Sequence, residues 1–155
     1  MAKIKNAIRK HEVAPVVIGE DGTITEVTEA DYFELAHLIT DIVDNTTDQT
    51  LEQGYYSGDG TPELEITGFV EEWAVTGLWD SKDPAQNLIK GKKRTFGDER
   101  RVWHKITETD GTVIEGIATA TAIKAGTGAA VDYEPFEVTL RFNGMPNVTE
   151  VVPAG

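Results

Sequence analysis

Apolar and polar side chains alternate with a period of two along most of the second half of the chain, a pattern that favours a fold built mainly of β-strands. The stretch RRVWHKITETDGTVIEGIATATAI, residues 100–123, shows a clear period of two, because Val102, His104 and Ile106 alternate with Trp103 and Lys105. Asp110 and Gly111 then form a turn signal, and a β-branched, threonine-rich run follows it. This order predicts a β-hairpin.

Further strands are predicted on both sides of this hairpin. The run ELEITGFVEEWAVTGLW, residues 63–79, alternates up to Val70 and resumes with the opposite phase at Trp73, which indicates a bulge or two separate strand pieces. Shorter strands are predicted at 136–142, FEVTLRF, and at 147–152, NVTEVV.

One short α-helix is predicted at about residues 83–90. Either Ser81 or Asp83 can cap its first turn, and Pro84 suits the first helical position because its missing N–H costs nothing there. Gly91 follows the last turn, as is typical of a helix end.

The segment ELAHLITDIV is ambiguous. Its apolar residues recur at helical spacing, so periodicity alone predicts a helix over residues 35–43. They are Leu35, Leu38, Ile39, Ile42 and Val43.

The length of 155 residues suits one domain, 1–155, and the sequence has no cysteine to form disulfide bonds. No apolar run is long enough for a membrane span, and no secretory signal is predicted. The net charge of −13 is segregated along the chain, since residues 11–80 contain 17 acids and neither lysine nor arginine. Residues 82–105 reverse the sign, with eight bases and three acids. The two segments either neutralise each other within one subunit or join different copies head to tail.

Catalytic and ligand-binding patterns are missing from the sequence. His11, His37 and His104 lie far apart and have no metal-ligand spacing. Neither a nucleophile elbow nor a phosphate-binding loop is present, so we expect no enzyme activity, no cofactor and no metal. The acidic total also argues against a nucleic-acid-binding domain. A structural or binding role is the remaining expectation.

Several motifs in order give the chain a resemblance to a known family. They are YYSGDGTPELEITG, a tryptophan-rich strand, DSKDPAQNLI, GDERRVWHKI, DGTVIEGIATATAIKAGTG and FEVTLRFNGMP. Their order and spacing, over roughly residues 50–146, resemble the major tail protein, or tail tube protein, of long-tailed noncontractile bacteriophages.

The resemblance implies a β-sandwich or small barrel with one flanking helix, and a nonenzymatic protein that assembles into stacked hexameric rings. Residues 35–43 would then be a strand, 1–12 an N-terminal arm, and 44–62 a long loop that reaches the neighbouring ring. The partners implied are other copies of the chain and the tape-measure, tail terminator and tail tip proteins. DNA would pass through the lumen without specific binding. The protein would be made in the host cytoplasm and reside in the virion tail, without membrane contact.

The predicted self-assembly residues come from the two charged segments. Tyrosines offer large amphipathic contact area, although one of the two here could instead cap the core while the other is merely exposed. The predicted residues are Tyr55, Tyr56, Asp59, Lys93, Arg94, Arg100 and Arg101.

Two alternatives remain at this point. The chain could form rings of a secretion tube with similar architecture. It could also be a free-standing β-sandwich that binds carbohydrate, with Trp73, Trp79 and Trp103 as stacking residues.

Overall fold

The computed structural model describes residues 3–150 of the chain. Its one α-helix is α1 (Pro84–Lys90), and short 3₁₀ turns lie at Asn6–Ile8, Glu29–Asp31 and Gly97–Arg100. The strands are β1 (Lys10–Pro15), β2 (Phe33–Glu34), β3 (Ile39–Asp44), β4 (Thr47–Gln53), β5 (Glu63–Val70), β6 (Glu72–Leu78), β7 (Arg101–Thr107), β8 (Val113–Ala125), β9 (Pro135–Phe142) and β10 (Asn147–Thr149).

Eight of the strands form one antiparallel sheet in the order β2-β1-β7-β8-β9-β6-β3, and β10 pairs with β8 below the end of β9. The sheet curls into a half-barrel. Strands β4 and β5 pair only with each other, as a separate two-stranded ribbon. The prediction of a mainly β sandwich or small barrel with one flanking helix is confirmed, in the form of this half-barrel.

The core lies on the concave side of the sheet. Alternate residues of β7 and β9 point inward and are buried, among them Val102, Ile106, Phe136 and Leu140. Helix α1 covers part of this side, and its Ile89 is fully buried against the strands. The alternation in the sequence is therefore the alternation between the two faces of the sheet.

The predicted hairpin and the predicted strand break both exist. Strands β7 and β8 pair across the turn at Asp110 and Gly111, and Gly111 has a φ of 94°. Glu71 separates β5 from β6, so the phase change in residues 63–79 marks two strand pieces. The break allows β5 to join the ribbon while β6 belongs to the half-barrel.

Helix α1 begins and ends within a residue of its prediction. The Asp83 side chain accepts a hydrogen bond from the Gln86 N–H, and Pro84 is the first helical residue. Gln86 is buried, and its side-chain amide donates to the Leu78 and His37 carbonyls while its oxygen accepts from the Asp80 N–H. These bonds attach the helix to the end of β6.

The helix that periodicity predicts at 35–43 is wrong, and the strand that the resemblance implies there is present as β3. Leu38 has a φ of 61°, which interrupts any helix before β3 begins. The register of β3 shifts between Ile39 and Asp41, so Ile39 and Ile42 both pack against the core. A bulge thus places side chains three residues apart on one face and imitates helical spacing.

Three predicted boundaries need correction. The arm predicted for 1–12 is shorter, because its last residues belong to β1, where pairing with β7 buries His11. The loop predicted for 44–62 contains β4, whose backbone pairs with β5. The last strand covers 147–149, and residues 151–152 of the prediction lie outside the described residues.

Within residues 3–150, no helix is long and apolar enough to cross a membrane.

Candidate assembly surfaces

The half-barrel has two ends that differ in what projects from them. We call one end the hairpin end, because the β7–β8 turn lies there, and the other the helix end. At the hairpin end, β3 finishes, the β4–β5 ribbon projects, and β6 begins at Glu72. At the helix end, β6 finishes at Leu78 and is followed by α1 and the loop that leads to Arg101 in β7. Because β6 and β7 are separated by three antiparallel pairings, the end of β6 and the start of β7 lie at the same end of the half-barrel.

The ribbon carries an apolar face that the subunit leaves uncovered. Leu64 and Ile66 lie on the same face of β5, and their exposed fractions are 65% and 64%. Phe69 is also exposed. Leu51 is exposed too, but it pairs with Glu65 and lies on the opposite face of the ribbon. A two-stranded ribbon is marginally stable by itself, and a contiguous exposed apolar face is typical of an interaction surface.

The ribbon is also acidic. Residues 45–71 contain six acids and neither lysine nor arginine. No structural ion pair can therefore form within the ribbon. Apolar side chains surrounded by carboxylates suit a partner that is apolar at its centre and basic at its rim.

Three of the predicted contact residues lie at the ribbon tip. Tyr56 is fully exposed, while Tyr55 is half-exposed and donates a hydrogen bond to the Gln53 side chain. Asp59 accepts a hydrogen bond from the Thr61 N–H, which lowers the pKa of its carboxyl. Gly60 has a φ of 84°, a conformation that suits glycine. The stretch YYSGDGTPE is thus a chain reversal that presents two tyrosines at the far end of the ribbon.

The basic loop, residues 91–100, lies at the helix end and presents Lys93 and Arg94. Phe96 is next to them, with 85% of its surface exposed. The Lys92 ammonium donates to the Glu99 carbonyl, which ties the two sides of the loop together. Four predicted contact residues therefore belong to this loop or directly follow it, at the helix end. The other three lie on the ribbon, which projects from the hairpin end.

Arg100 has a structural task inside the subunit. Its guanidinium donates to the backbone carbonyls of Lys93, Thr95 and Ala120, so it fastens the basic loop to β8. Arg101 pairs with Asp98 at 3.2 Å. Charge reversal at Arg100 would disturb the loop itself, which makes Lys93 and Arg94 the better probes of an external contact.

The acidic and basic segments neutralise each other only in part. Within residues 3–150, a single ion pair links residues 82–105 to residues 11–80. It joins Lys105 to Glu29, with 3.8 Å between nitrogen and oxygen. Lys93 and Arg94 make no such pair in this part of the chain. The arrangement leaves a basic loop and an acidic ribbon at opposite ends of one molecule, as head-to-tail contact requires.

The three tryptophans do not share an exposed face. Trp73 points inward from β6 and is buried, while Trp79 stacks on Phe136. Trp103 precedes the buried His104 and thus lies on the opposite, convex face. This arrangement offers no common stacking platform for a sugar.

A cavity of about 730 Å³ lies between β1 and β3 and reaches the hairpin end. Its apolar lining includes Leu35, Ile42 and Trp73. Charged residues from several elements also line it: Arg9, Asp41, Asp44, Glu71 and Glu108. We refer to it below as the seam cavity. Sequence reasoning missed it, because its walls come from segments far apart in the chain.

A buried histidine pair lies beside the seam cavity. His11 Nδ1 and His104 Nε2 are 3.1 Å apart, and the other ring nitrogen of each has no hydrogen-bond partner among residues 3–150. Burial lowers the pKa of His11 to about 4, with a smaller contribution from the positive charge of Arg9. Burial also lowers the pKa of His104, assisted by His11. Both rings are therefore neutral near pH 7.

Comparison with known proteins gives no match by sequence and clear matches by structure. No family model and no curated protein matches this chain. The tail of an empty gene transfer agent particle, refined with C6 symmetry, superposes with a TM-score of 0.69 at 13% identity, covering 96% of this chain and 100% of that chain.

Two further structures share the fold. The SPP1 tail tube matches with a TM-score of 0.59 at 13% identity, over 94% of this chain and 79% of that chain. The tube-terminating cap of the anti-feeding prophage matches with a TM-score of 0.54 at 10% identity, over 97% and 93% of the two chains. The chain thus has the fold of phage and gene transfer agent tail tube proteins, and it resembles those proteins along nearly its whole length.

Proposed function

We propose that the protein is a tail tube subunit, a nonenzymatic structural protein whose copies form stacked hexameric rings around a channel for the genome. The hairpin end of each subunit contacts the helix end of a subunit in the adjacent ring. The observation that carries the proposal is the β4–β5 ribbon, whose apolar face is not covered by any of residues 3–150.

The length of the ribbon supports a contact between rings. Eight residues of β5 at about 3.3 Å per residue extend about 26 Å beyond the half-barrel, far enough to lie along a neighbouring subunit. Burying Leu64 and Ile66 there would contribute about 1.5–3 kcal/mol for each side chain. The tail of the gene transfer agent was refined with C6 symmetry, which supports six copies per ring here.

The charge of the chain supports a conduit. Six copies with a net charge of −13 each would surround DNA with a field of its own sign, so phosphate would slide without sticking. Ring formation would also create the ends at which tape-measure, tail terminator and tail tip proteins bind. In this proposal the protein resides in the virion tail after synthesis in the host cytoplasm.

A ring protein of a secretion tube is the second candidate. The likeness to the cap of the anti-feeding prophage favours it, since that cap terminates a tube. The two candidates differ in their requirements for assembly. A secretion-tube relative would form rings from the isolated protein, whereas a phage tail tube would extend rapidly only from a tail tip.

The ribbon can be removed without disturbing the half-barrel, and this provides the test. The Asn45 N–H donates to the Glu72 carbonyl, so the two ends of the ribbon already lie side by side. Replacing residues 46–71 by a two-residue Asn-Gly turn would join Asn45 to Glu72, and so β3 to β6, as a tight hairpin. We expect this variant to stay folded and to form no tubes.

Electron microscopy and light scattering of concentrated protein measure the outcome, with and without purified tail tips as nuclei. The unmodified chain should form rings or tubes with a central hole. A ribbon-deleted variant that makes tubes of normal length would contradict the role of the ribbon. Wild-type protein that stays monomeric even with nuclei would contradict the proposed function itself.

A further inference from the structure

The seam cavity and the basic loop are complementary surfaces at different places on the same molecule. We propose that Phe96 of one copy, flanked by Lys93 and Arg94, inserts into the seam cavity of the next copy. The inference rests on the proposed head-to-tail assembly and deepens it, since it names a second contact besides the ribbon.

The seam cavity has the lining that an aromatic residue with basic neighbours requires. Ile42 and Trp73 provide an apolar wall, and four carboxylates against the single guanidinium of Arg9 make the lining acidic. The side-chain carboxylates of Asp41 and Glu108 have no hydrogen bond or ion pair to any of residues 3–150 and can receive an external cation. A volume of about 730 Å³ accommodates a phenyl ring and parts of its flanking side chains.

The basic loop is built to present Phe96. The Arg100 and Lys92 side chains bind the loop's own backbone carbonyls, which fixes its shape before any contact forms. Phe96 itself is 85% exposed, and no aromatic side chain in residues 3–150 stacks on its ring. A rigid loop with a projecting aromatic side chain loses little conformational entropy on binding, and such side chains are typical interface anchors.

A second exposed aromatic side chain at the helix end serves as the matched control. Tyr133 is 84% exposed in the loop between β8 and β9, almost the same as Phe96. Its neighbours are Asp132 and Glu134, however, and these carry the same sign as the lining of the seam cavity. Charge complementarity therefore selects Phe96 and rejects Tyr133.

The placement of the two surfaces explains why the contact propagates. Phe96 lies at the helix end, whereas Arg9, Glu71 and Glu108 bring the seam cavity to the hairpin end. Unlike patches on opposite ends of one subunit give a head-to-tail contact that continues from copy to copy. The ribbon extends from the hairpin end, which the seam cavity also reaches, so both contacts form with a single docking movement.

Cross-linking tests the contact directly, because the natural chain has no cysteine. Phe96→Cys and Ile42→Cys are combined in one chain, assembled on tail tips or at high concentration, and treated with a short bismaleimide. We expect a ladder of covalent dimers, trimers and longer chains on denaturing gels. The matched variant with Tyr133→Cys and Ile42→Cys should give no ladder.

Charge exchange supplies a readout that does not need cysteine. Lys93→Glu with Arg94→Glu, and separately Asp41→Lys with Glu108→Lys, should each weaken assembly about tenfold or more, measured as the critical concentration by sedimentation. An equimolar mixture of the two variants should recover part of the loss. Phe96→Ala should weaken assembly about tenfold or more without a change in the far-UV circular dichroism of the monomer.

The results separate this inference from the proposed function. Tubes that form normally but give no Phe96–Ile42 ladder, and that tolerate Phe96→Ala, would overturn the inference and leave the tube function intact. Equal ladders for the Phe96 and Tyr133 pairs would also overturn it. Protein that remains monomeric with nuclei, and gives no ladder, would overturn both.

Discussion

Strand β5 of the ribbon and the central strands of the half-barrel share the same alternation of apolar and polar residues, but they differ in how much of the apolar face is buried. In β9 every second residue is buried, whereas no residue of β4 is buried and β5 has exposed Leu64 and Ile66. The pattern therefore reports which face of a strand is apolar and leaves open what covers that face. The half-barrel covers its own apolar face, and in our proposal a second copy covers that of the ribbon.

Acid should produce the largest change in the free energy of unfolding, and it should act on the half-barrel. The unfolded chain binds protons at His11 and His104 below a pH of about 6.5, while burial keeps both rings neutral in the folded chain. Stability is therefore fully present above that pH. It should fall by up to about 1.4 kcal/mol per pH unit for each histidine as the pH drops toward 4.

Urea unfolding at a series of pH values measures this slope. His104→Leu removes one titrating group and should reduce the slope between pH 6.5 and 4 by about half. Val102 provides the control, because it is buried in the same strand and carries no titrating group, and Val102→Ala should lower stability at every pH while it leaves the slope unchanged. An unaltered slope in His104→Leu would contradict the role of the buried pair.

A matched pair of phenylalanines compares the two regions directly. Phe136 is fully buried in the half-barrel, so Phe136→Ala should lower the free energy of unfolding by about 3–5 kcal/mol. Phe69 lies half-exposed on the ribbon, and Phe69→Ala should cost less than about 1 kcal/mol. Similar losses in urea unfolding for both variants would show that the monomer buries the ribbon, against our comparison.

Loss of the hydrogen bonds that Arg100 donates should lower the free energy of unfolding by a smaller amount. Arg100→Met removes the donor for the Lys93, Thr95 and Ala120 carbonyls and should cost about 1–3 kcal/mol in thermal or urea unfolding. Arg94→Met, six residues earlier in the same basic loop, should change stability by less than about 0.5 kcal/mol. Equal effects of the two substitutions would argue against the structural task assigned to Arg100.

The smallest effect on the monomer should accompany a complete loss of assembly. Leu64→Ser combined with Ile66→Ser changes two exposed side chains, so the free energy of unfolding should change by no more than about 0.5 kcal/mol. Sedimentation of the same protein should show no tubes, because the apolar face that a neighbour covers is gone. If this variant forms tubes as stable as those of the wild type, the apolar face of the ribbon is not the surface that a second copy covers.

Much of the fold could be predicted from local patterns. The β7–β8 hairpin, the break at Glu71 and the helix capped by Asp83 all follow from side chains within a few residues of each other, and all three are present. The helix predicted at 35–43 failed because a bulge in β3 imitates helical spacing. A bulge arises from the register with β6, which no local window contains.

The candidate site could be predicted less well. Charge counting located both the acidic segment and the basic loop, and the Gly-Asp-Gly turn signal located Tyr55 and Tyr56 beside a chain reversal. Charge counting could not show that the Arg100 guanidinium binds carbonyls of its own loop whereas the Arg94 side chain is exposed. That distinction depends on the Ala120 carbonyl, twenty residues further along the chain.

The sequence by itself determined the β7–β8 hairpin, the break at Glu71 and the bounds of α1, because these depend on spacing, capping and turn residues within short reach. It also determined the segregation of charge. The tertiary structure alone decided which strands share a sheet, that His11 meets His104, and that the acidic ribbon and the basic loop lie at opposite ends. The physical reason is that pairing and burial join residues far apart in the chain, as the 93 residues between His11 and His104 illustrate.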